Sequence, residues 1–430
     1  MIANILARRI VKIMTTVVIK NTSCMICGSK TLTKYLDLGE SALANSYLNP
    51  VDVKKSNFTE FKAPLEVYFC NYCHLAQLLH IVDRKLLFSE YAYFSSTSPQ
   101  LLTHFDNYAE EVFSNFPDQA RKLTFEIASN DGILLKPFKK RGARVLGIDP
   151  AKNIAEKANN DGIETLPEFF RSEIVPALVK KYGRAGVILA NNVLAHTDVL
   201  PDIIRGISQF LDKKGVFVFE FQYLYDLLKK NEFDNTYHEH ICYFSLAPIM
   251  LMLEKNGLEA FRIQHVDTQG GSLRVYAGLL PIAFKKDGSV DHFLNLERKE
   301  KLNEAETYHK FASMPPLVKE GLKTMLVDFS SKGKKVVGYG APAKGNTLLQ
   351  YAGVTKDEIR YIIDNAPSKQ GKLTPGTHIP IVAPEVLKKD TPDYILILAW
   401  NFASSIIERE KWFSERGGKF IIPVPLPHIV

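Results

Sequence analysis

A chain of 430 residues exceeds what one hydrophobic core organises, so two or three domains are expected, and 46% hydrophobic with 23% charged residues excludes a disordered or low-complexity protein. Fifty-four Lys and Arg against 47 Asp and Glu leave a net charge of +7, spread along the chain; nothing here demands nucleic acid, and an anionic small substrate would be welcome. No stretch approaches the roughly 20 apolar residues of a membrane span, and no internal repeat is visible, so a cytoplasmic protein is expected.

Residues 1–22 form an N-terminal extension. Its apolar residues are interrupted by Arg8, Arg9, Lys12 and Lys20, which leaves no signal-peptide core. It reads as sequence upstream of a start at Met14, an amphipathic surface helix being the alternative.

Residues 23–90 carry two C-x-x-C pairs, Cys24/Cys27 and Cys70/Cys73. In a reducing compartment such pairs stay thiolate, and four sulfurs make the closed tetrahedral set of a structural zinc site, with no position left for a reactive water. Gly28 suits the tight turn after the first pair. The 42 intervening residues exceed a compact zinc ribbon and are expected to hold a small sheet built from KYLDLGE, ALANSYLN and APLEVYFC. A redox dithiol would want a thioredoxin-like unit, which is absent. Cys242 stands apart and reads as a buried small apolar residue.

Residues 91–280 alternate strand and helix. LTFEIAS, RVLGIDP, IETL, GVILANNV and GVFVFEF predict parallel strands with helical crossovers, and AFRIQHV with SLRVYAGLL predicts a terminal antiparallel hairpin. Seven strands with this ending look like the methyltransferase variant of the Rossmann architecture. Ligands of such sheets lie beyond the carboxyl ends of the strands. There stand Glu126, Ala128, Ser129, Asn130, Asp131 and Gly132 after the first strand, Asp149 after the second and Asn191 at the end of the fourth. A pyrophosphate needs a glycine-rich turn, whereas this acidic, amide-bearing loop has one glycine and suits a cationic amino acid tail. The loop is therefore read as a site for S-adenosylmethionine, with Asp149 on the ribose and Ser129 or Asn130 also serving as a helix cap.

Tyr237-His238-Glu239-His240, followed by Tyr243, crowds a phenol, two imidazoles and a carboxylate into an apolar neighbourhood. Those are the parts needed to remove a proton beside a carbonyl. Spacing alone does not separate His238 from His240 as the base.

Residues 281–430 open with charged, helix-like connector segments and continue into a second nucleotide-type unit. Gly338, Gly340 and Gly345 with Asp364 approximate a dinucleotide fingerprint, from which Pro342 and Lys344 depart; backbone amides and a lysine point charge can hold phosphates without nicotinamide. Trp400-Asn401 end a later strand at the same edge, where the indole either stacks on a base or fills the core.

From Cys24 onward the chain resembles the three-domain nucleotide-sugar C-methyltransferases of deoxysugar pathways. The resemblance is carried by the four cysteines, YAYFSSTS at 91–98, FEIASNDG at 125–132, NNVLAH at 191–196, YHEHICYFS at 237–245, GGSLRV at 270–275, GYGAPAKGNT at 338–347 and PGTHIP at 375–380. It implies structural zinc, S-adenosylmethionine in the middle domain and a Rossmann-like last domain that helps hold a nucleotide-linked keto sugar. The implied reaction is methylation of carbon 3 of a 4-keto-6-deoxy sugar. Carried over by motif, His240 is the base, assisted by Tyr237, with Glu239, His196 and either Tyr91 or Tyr93 lining the pocket. The same motifs place His238, Tyr243, Ser272, Arg274, Gly340, Ala341, Lys344, Asn346, Thr347 and His378 near the substrate, where Trp400 and Asn401 are expected from their place at the strand end. Ala128 stands where the family usually has Gly, and Asp149 where it has Glu, which bears on cofactor affinity.

Methylating carbon requires a carbon nucleophile, which a base generates by drawing a proton from beside the ketone. His must be neutral to do so, and a carboxylate such as Glu239 would raise its pKa, so burial has to oppose that pair. The competing readings are an NAD(P)-dependent nucleotide-sugar oxidoreductase, from the carboxy-terminal glycines and Asp364, and a non-catalytic zinc and nucleotide scaffold. A monomer or weak homo-oligomer without a nucleic-acid or membrane partner is expected.

Overall fold

The computed structural model describes residues 17–88 and 99–430. The expectations for Met14, Tyr91 and Tyr93 fall outside the described residues.

In the N-terminal module, Leu32–Ala42 and Lys62–Cys70 pair antiparallel, and the second strand alternates buried and half-buried side chains as a one-faced sheet requires. Ala76–Leu78 adds a third strand, and Cys242–Tyr243 adds a fourth from 160 residues or more down the chain. Of the three expected strands, ALANSYLN is not one. Only its Ala42 ends a strand; residues 43–49 leave the sheet, and their polar groups find partners on the carboxy-terminal domain.

The middle domain is a seven-stranded sheet. Its order is Leu258–Val266, Ser272–Leu279, Leu211–Gln222, Ala185–Asn191, Leu123–Ile127, Arg144–Ile148 and Thr165–Leu166. In chain rank this is 6-7-5-4-1-2-3, the methyltransferase arrangement, with the seventh strand inserted antiparallel between the fifth and sixth. The first strand is buried at all five positions, as a parallel strand covered on both faces must be. Helices Pro99–Asn115 and Leu135–Lys140 cover one face, and Val175–Tyr182 and Leu200–Phe210 the other.

Connector helices Ser289–Lys299, Ala305–Ala312 and Met314–Ser331 lead to a six-stranded sheet ordered Ile381–Val382, Ile362–Ile363, Val336–Tyr339, Tyr394–Ile397, Lys419–Ile422 and His428–Ile429. The first five are parallel and the last is antiparallel, a doubly wound order whose switch point lies between Val336–Tyr339 and Tyr394–Ile397. The connectors are also core elements: the wholly buried Tyr308 packs on Phe69 and Tyr35 of the N-terminal sheet, with ring centroids 4.4 and 5.1 Å apart. One apolar cluster consequently runs through all three regions. Among the described residues, no helix is long and apolar enough to cross a membrane.

Candidate active site

The four cysteines converge. Their sulfurs all lie within 4.8 Å of one another, with 3.4 Å between Cys24 and Cys73 and 3.5 Å between Cys27 and Cys70. Both pairs turn alike: the Gly28 amide donates to the Cys24 carbonyl and the His74 amide to the Cys70 carbonyl, each at 2.9 Å, with φ of +77° and +67°. Gly28 adopts that conformation freely. His74 does so against the penalty on a β-carbon, with its ring stacked on Phe69. Sulfurs this close fit a tetrahedral ion with Zn–S bonds of about 2.3 Å, and the module holds zinc as a closed structural site. Cys242 is buried and outside the set, as expected.

The loop after the first strand of the middle domain turns through left-handed Ala128, Asn130 and Gly132. Asp149 stands across it and accepts the Asn130 and Ala151 amides at 3.0 Å each; burial pushes its carboxyl up to about 6. Burial, with the Asp149 charge second, also pushes Glu126 up. Neither carboxylate oxygen of the wholly buried Asp131 has a hydrogen-bond partner among the described residues, nor do Ser129 Oγ, one oxygen of Glu126, or either side-chain polar atom of Asn191. Such orphans cost about 1–3 kcal/mol each until a ligand satisfies them. Acceptors dominate the set, so it fits a ligand that brings donors and positive charge, as the ammonium tail and ribose diol of S-adenosylmethionine do. A pyrophosphate would bring only more acceptors.

Beyond this cleft His240 and His196 meet, with ring centroids 4.8 Å apart and planes nearly perpendicular. His240 Nδ1 lies 2.8 Å from the Asn235 carbonyl, which can only accept, so Nδ1 carries the proton. Nε2 is then the basic nitrogen and accepts the Tyr237 hydroxyl at 2.7 Å. Burial pushes His240 down to about 4, and burial followed by the His240 charge pushes His196 well down. Both rings are therefore neutral near pH 7. Burial is the largest cause at both rings, and Glu239 accepts the Asn45 side-chain amide of the zinc module at 2.8 Å.

His238 is turned toward the zinc module, with Nδ1 left without a hydrogen-bond partner among the described residues. It is 2% exposed and donates to the Ala63 carbonyl at 3.1 Å. Tyr243, in the fourth strand of the zinc sheet, is buried behind His240.

At the carboxy-terminal switch point the Lys344 ammonium sits 4.1 Å from the Trp400 ring centre, and the Trp400 indole donates to Asp234 at 2.7 Å. Burial pushes Lys344 down while the Asp234 and Glu232 charges pull it back. Gly340 (φ +78°) and Ala341 form the adjoining turn, and Asn401 is exposed beside Trp400. Asp364 accepts the Ala341 and Ala366 amides at 2.7 and 2.8 Å. These contacts give the nicotinamide reading no support.

Five of the residues expected near the substrate make bonds inside the protein. Arg274, in the buried seventh strand, bonds Glu220 and Glu111 at 2.7 Å each and lies over the Tyr108 ring, because a guanidinium there must be paired. Ser272 bonds the Thr268 carbonyl and Thr347 the Ala343 carbonyl. Asn346 donates to the Ala44 carbonyl at 2.8 Å, and His378 pairs with Glu60 at 2.8 Å, both joining the last domain to the zinc module. Conversely, Asn45, Tyr47 and Asp234 were not singled out from the sequence. Asn45 and Tyr47 sit in the segment read as a strand, and Asp234 lies three residues before Tyr237, the one signal that could have drawn attention to it.

Three family profiles match successive parts of the chain: a zinc binding domain at residues 24–88, a methyltransferase domain at 104–262 and a C-methyltransferase C-terminal domain at 267–425. C-methyltransferase NovU of Streptomyces niveus is 34% identical over 407 residues, covering 95% of this chain and 96% of that protein. The ubiquinone biosynthesis O-methyltransferase of Methylobacterium nodulans is 30% identical over 93 residues, 21% of this chain and 37% of that protein. Among solved structures, magnesium protoporphyrin IX methyltransferase from Synechocystis with bound S-adenosylmethionine matches at 15% identity and a TM-score of 0.32, over 41% of this chain and 78% of that one. With a relative of that identity along nearly its whole length, the chain belongs to the C-methyltransferase family, as an S-adenosylmethionine-dependent enzyme with a structural zinc in its N-terminal module.

Proposed function

We propose that this C-methyltransferase acts on carbon 3 of a nucleotide-linked 4-keto-6-deoxy sugar, in the cytoplasm, as a monomer or weak homo-oligomer, with His240 as the base. The observation that carries the assignment of the base is the locked tautomer: Nδ1 is tied to the Asn235 carbonyl, so Nε2 presents its lone pair on a ring kept neutral by burial. His240 takes the proton from the carbon beside the ketone. Tyr237 holds Nε2 in line until substrate arrives, then offers its hydroxyl to the developing oxyanion, and His196 helps hold the ketone oxygen. Glu126, Ser129, Asn130, Asp131, Asp149 and Asn191 would hold the cofactor, with Ala128 and Gly132 shaping the loop. S-adenosylmethionine, when bound, supplies an electrophilic methyl group. Lys344, Gly340, Ala341, Trp400 and Asn401 would hold the nucleotide portion, the lysine exchanging its carboxylate neighbours for a phosphate.

His240→Ala is expected to retain binding of S-adenosylhomocysteine and sugar nucleotide while losing about 10²- to 10⁴-fold in methylation and in solvent deuterium exchange at carbon 3. Unchanged exchange, or a loss below about tenfold, would remove His240 from the base role. Offering labelled donor with a panel of thymidine- and guanosine-diphosphate keto sugars tests the substrate; label on oxygen instead of carbon would refute the mechanism.

A further inference from the structure

Residues 43–48 leave the zinc sheet after Ala42 and form a strap tied to the carboxy-terminal domain along its length. The Ala42 amide donates to Gln350 at 2.8 Å, the Ala44 carbonyl accepts Asn346 at 2.8 Å, the Tyr47 hydroxyl donates to the Ala341 carbonyl at 2.6 Å, and Leu48 exchanges backbone bonds of 3.0 and 2.8 Å with Leu373. Asn45 lies between the second and third of these ties, so its backbone has little freedom. Its side-chain amide donates to Glu239 Oε1 at 2.8 Å, across 194 positions of sequence. Glu239 is 3% exposed, and a carboxylate so buried needs donors held in place.

We propose that Asn45 is a positioning residue of the active site, supplied by the zinc module, which fixes the orientation of the Glu239 carboxylate in the segment that also carries Tyr237 and His240. The proposal rests on the reading of the Tyr237–His240 segment as the acid–base centre. An amide is the group the position requires: it donates without adding charge, whereas an aspartate would set a second anion against Glu239. Because the strap is fastened to the same helix and turn that carry Ala341 and Asn346, the orientation of Glu239 depends on three parts of the chain being assembled.

A double-mutant cycle on the full-length, zinc-loaded protein tests this. Asn45→Ala is expected to lower kcat for methylation about tenfold or more, the scale of a hydrogen bond to a charged group, leaving zinc content and S-adenosylhomocysteine affinity as in the wild type. Adding Asn45→Ala to Glu239→Gln should then cost nothing further, and Asn45→Asp should be worse than Asn45→Ala. Losses that multiply in the double variant, an Asn45→Ala enzyme as fast as wild type, or a Glu239→Gln enzyme as fast as wild type would each overturn the proposal. A second readout is independent of the sugar. The carboxylate stretch of Glu239, isolated as the infrared difference between wild type and Glu239→Gln, should move in Asn45→Ala, and an unmoved band overturns the positioning role. If the wild type turns over no keto sugar while the band moves, the substrate reading has failed and the positioning role stands.

Discussion

His238 and His240 share a motif and differ in what surrounds them. Both imidazoles are pushed down to about 4 by burial, but His240 has Nε2 toward the Tyr237 hydroxyl whereas His238 has Nε2 on the Ala63 carbonyl. A histidine whose folded pKa lies below its unfolded value near 6.5 stabilises the fold at higher pH. That contribution is complete above pH 6.5 and is lost as pH falls through about 4, at most about 3 kcal/mol for a shift of this size. Thermal midpoints should therefore decline between pH 6.5 and 4, and His238→Gln, whose amide can still donate to Ala63, should reduce that slope; an unaltered slope would mean the ring titrates in the open. The residue types at 237–240 were legible as acid–base chemistry because they are rare together in an apolar stretch. Which histidine faces the cleft was not, since alternate residues of an irregular turn carry no periodic signal. Ala128 is a similar case: a β-carbon at φ +53° is a strained choice only once the loop conformation is known.

The element that orients the acid–base cluster is the short strand Cys242–Tyr243. It pairs with Gln77 and Ala76, and the wholly buried Gln77 accepts the Met25 amide at 3.0 Å inside the first cysteine turn. Zinc thus fixes the turn, the turn fixes Gln77, and that strand carries the edge on which His240 is mounted. Removing zinc with a chelator, or Cys70→Ser, should abolish methylation and raise amide exchange across residues 237–245, while binding of S-adenosylhomocysteine in the separately built donor cleft persists. Retained activity in the metal-free protein would show that the sheet holds without its ion. The cysteine spacing announced the metal; no local pattern announced that a two-residue strand from the middle of the chain would complete the same sheet.

At the scale of the molecule, the continuous apolar cluster predicts cooperative behaviour. Tyr308 from a connector, Phe69 from the zinc sheet and Leu348 from the last domain belong to one packed core, and the last domain is tied to the zinc module by Glu60–His378 and to the middle domain by the buried Asp234 with Trp400. Calorimetry should show one unfolding transition instead of three, and resolved transitions would mean that the domains are independently stable. Much of this architecture was readable in advance: strand and helix alternation gave both doubly wound sheets, two C-x-x-C pairs gave the zinc set, and an acidic, glycine-poor loop gave the donor cleft, because those signals are local and periodic. The tertiary structure alone decided that Arg274, Ser272, Asn346, Thr347 and His378 bond other parts of the protein, that His240 has Nε2 toward the Tyr237 hydroxyl, and that Asn45 reaches Glu239. Those outcomes depend on which groups meet across hundreds of residues, and a buried polar side chain takes its role from the partner it finds there.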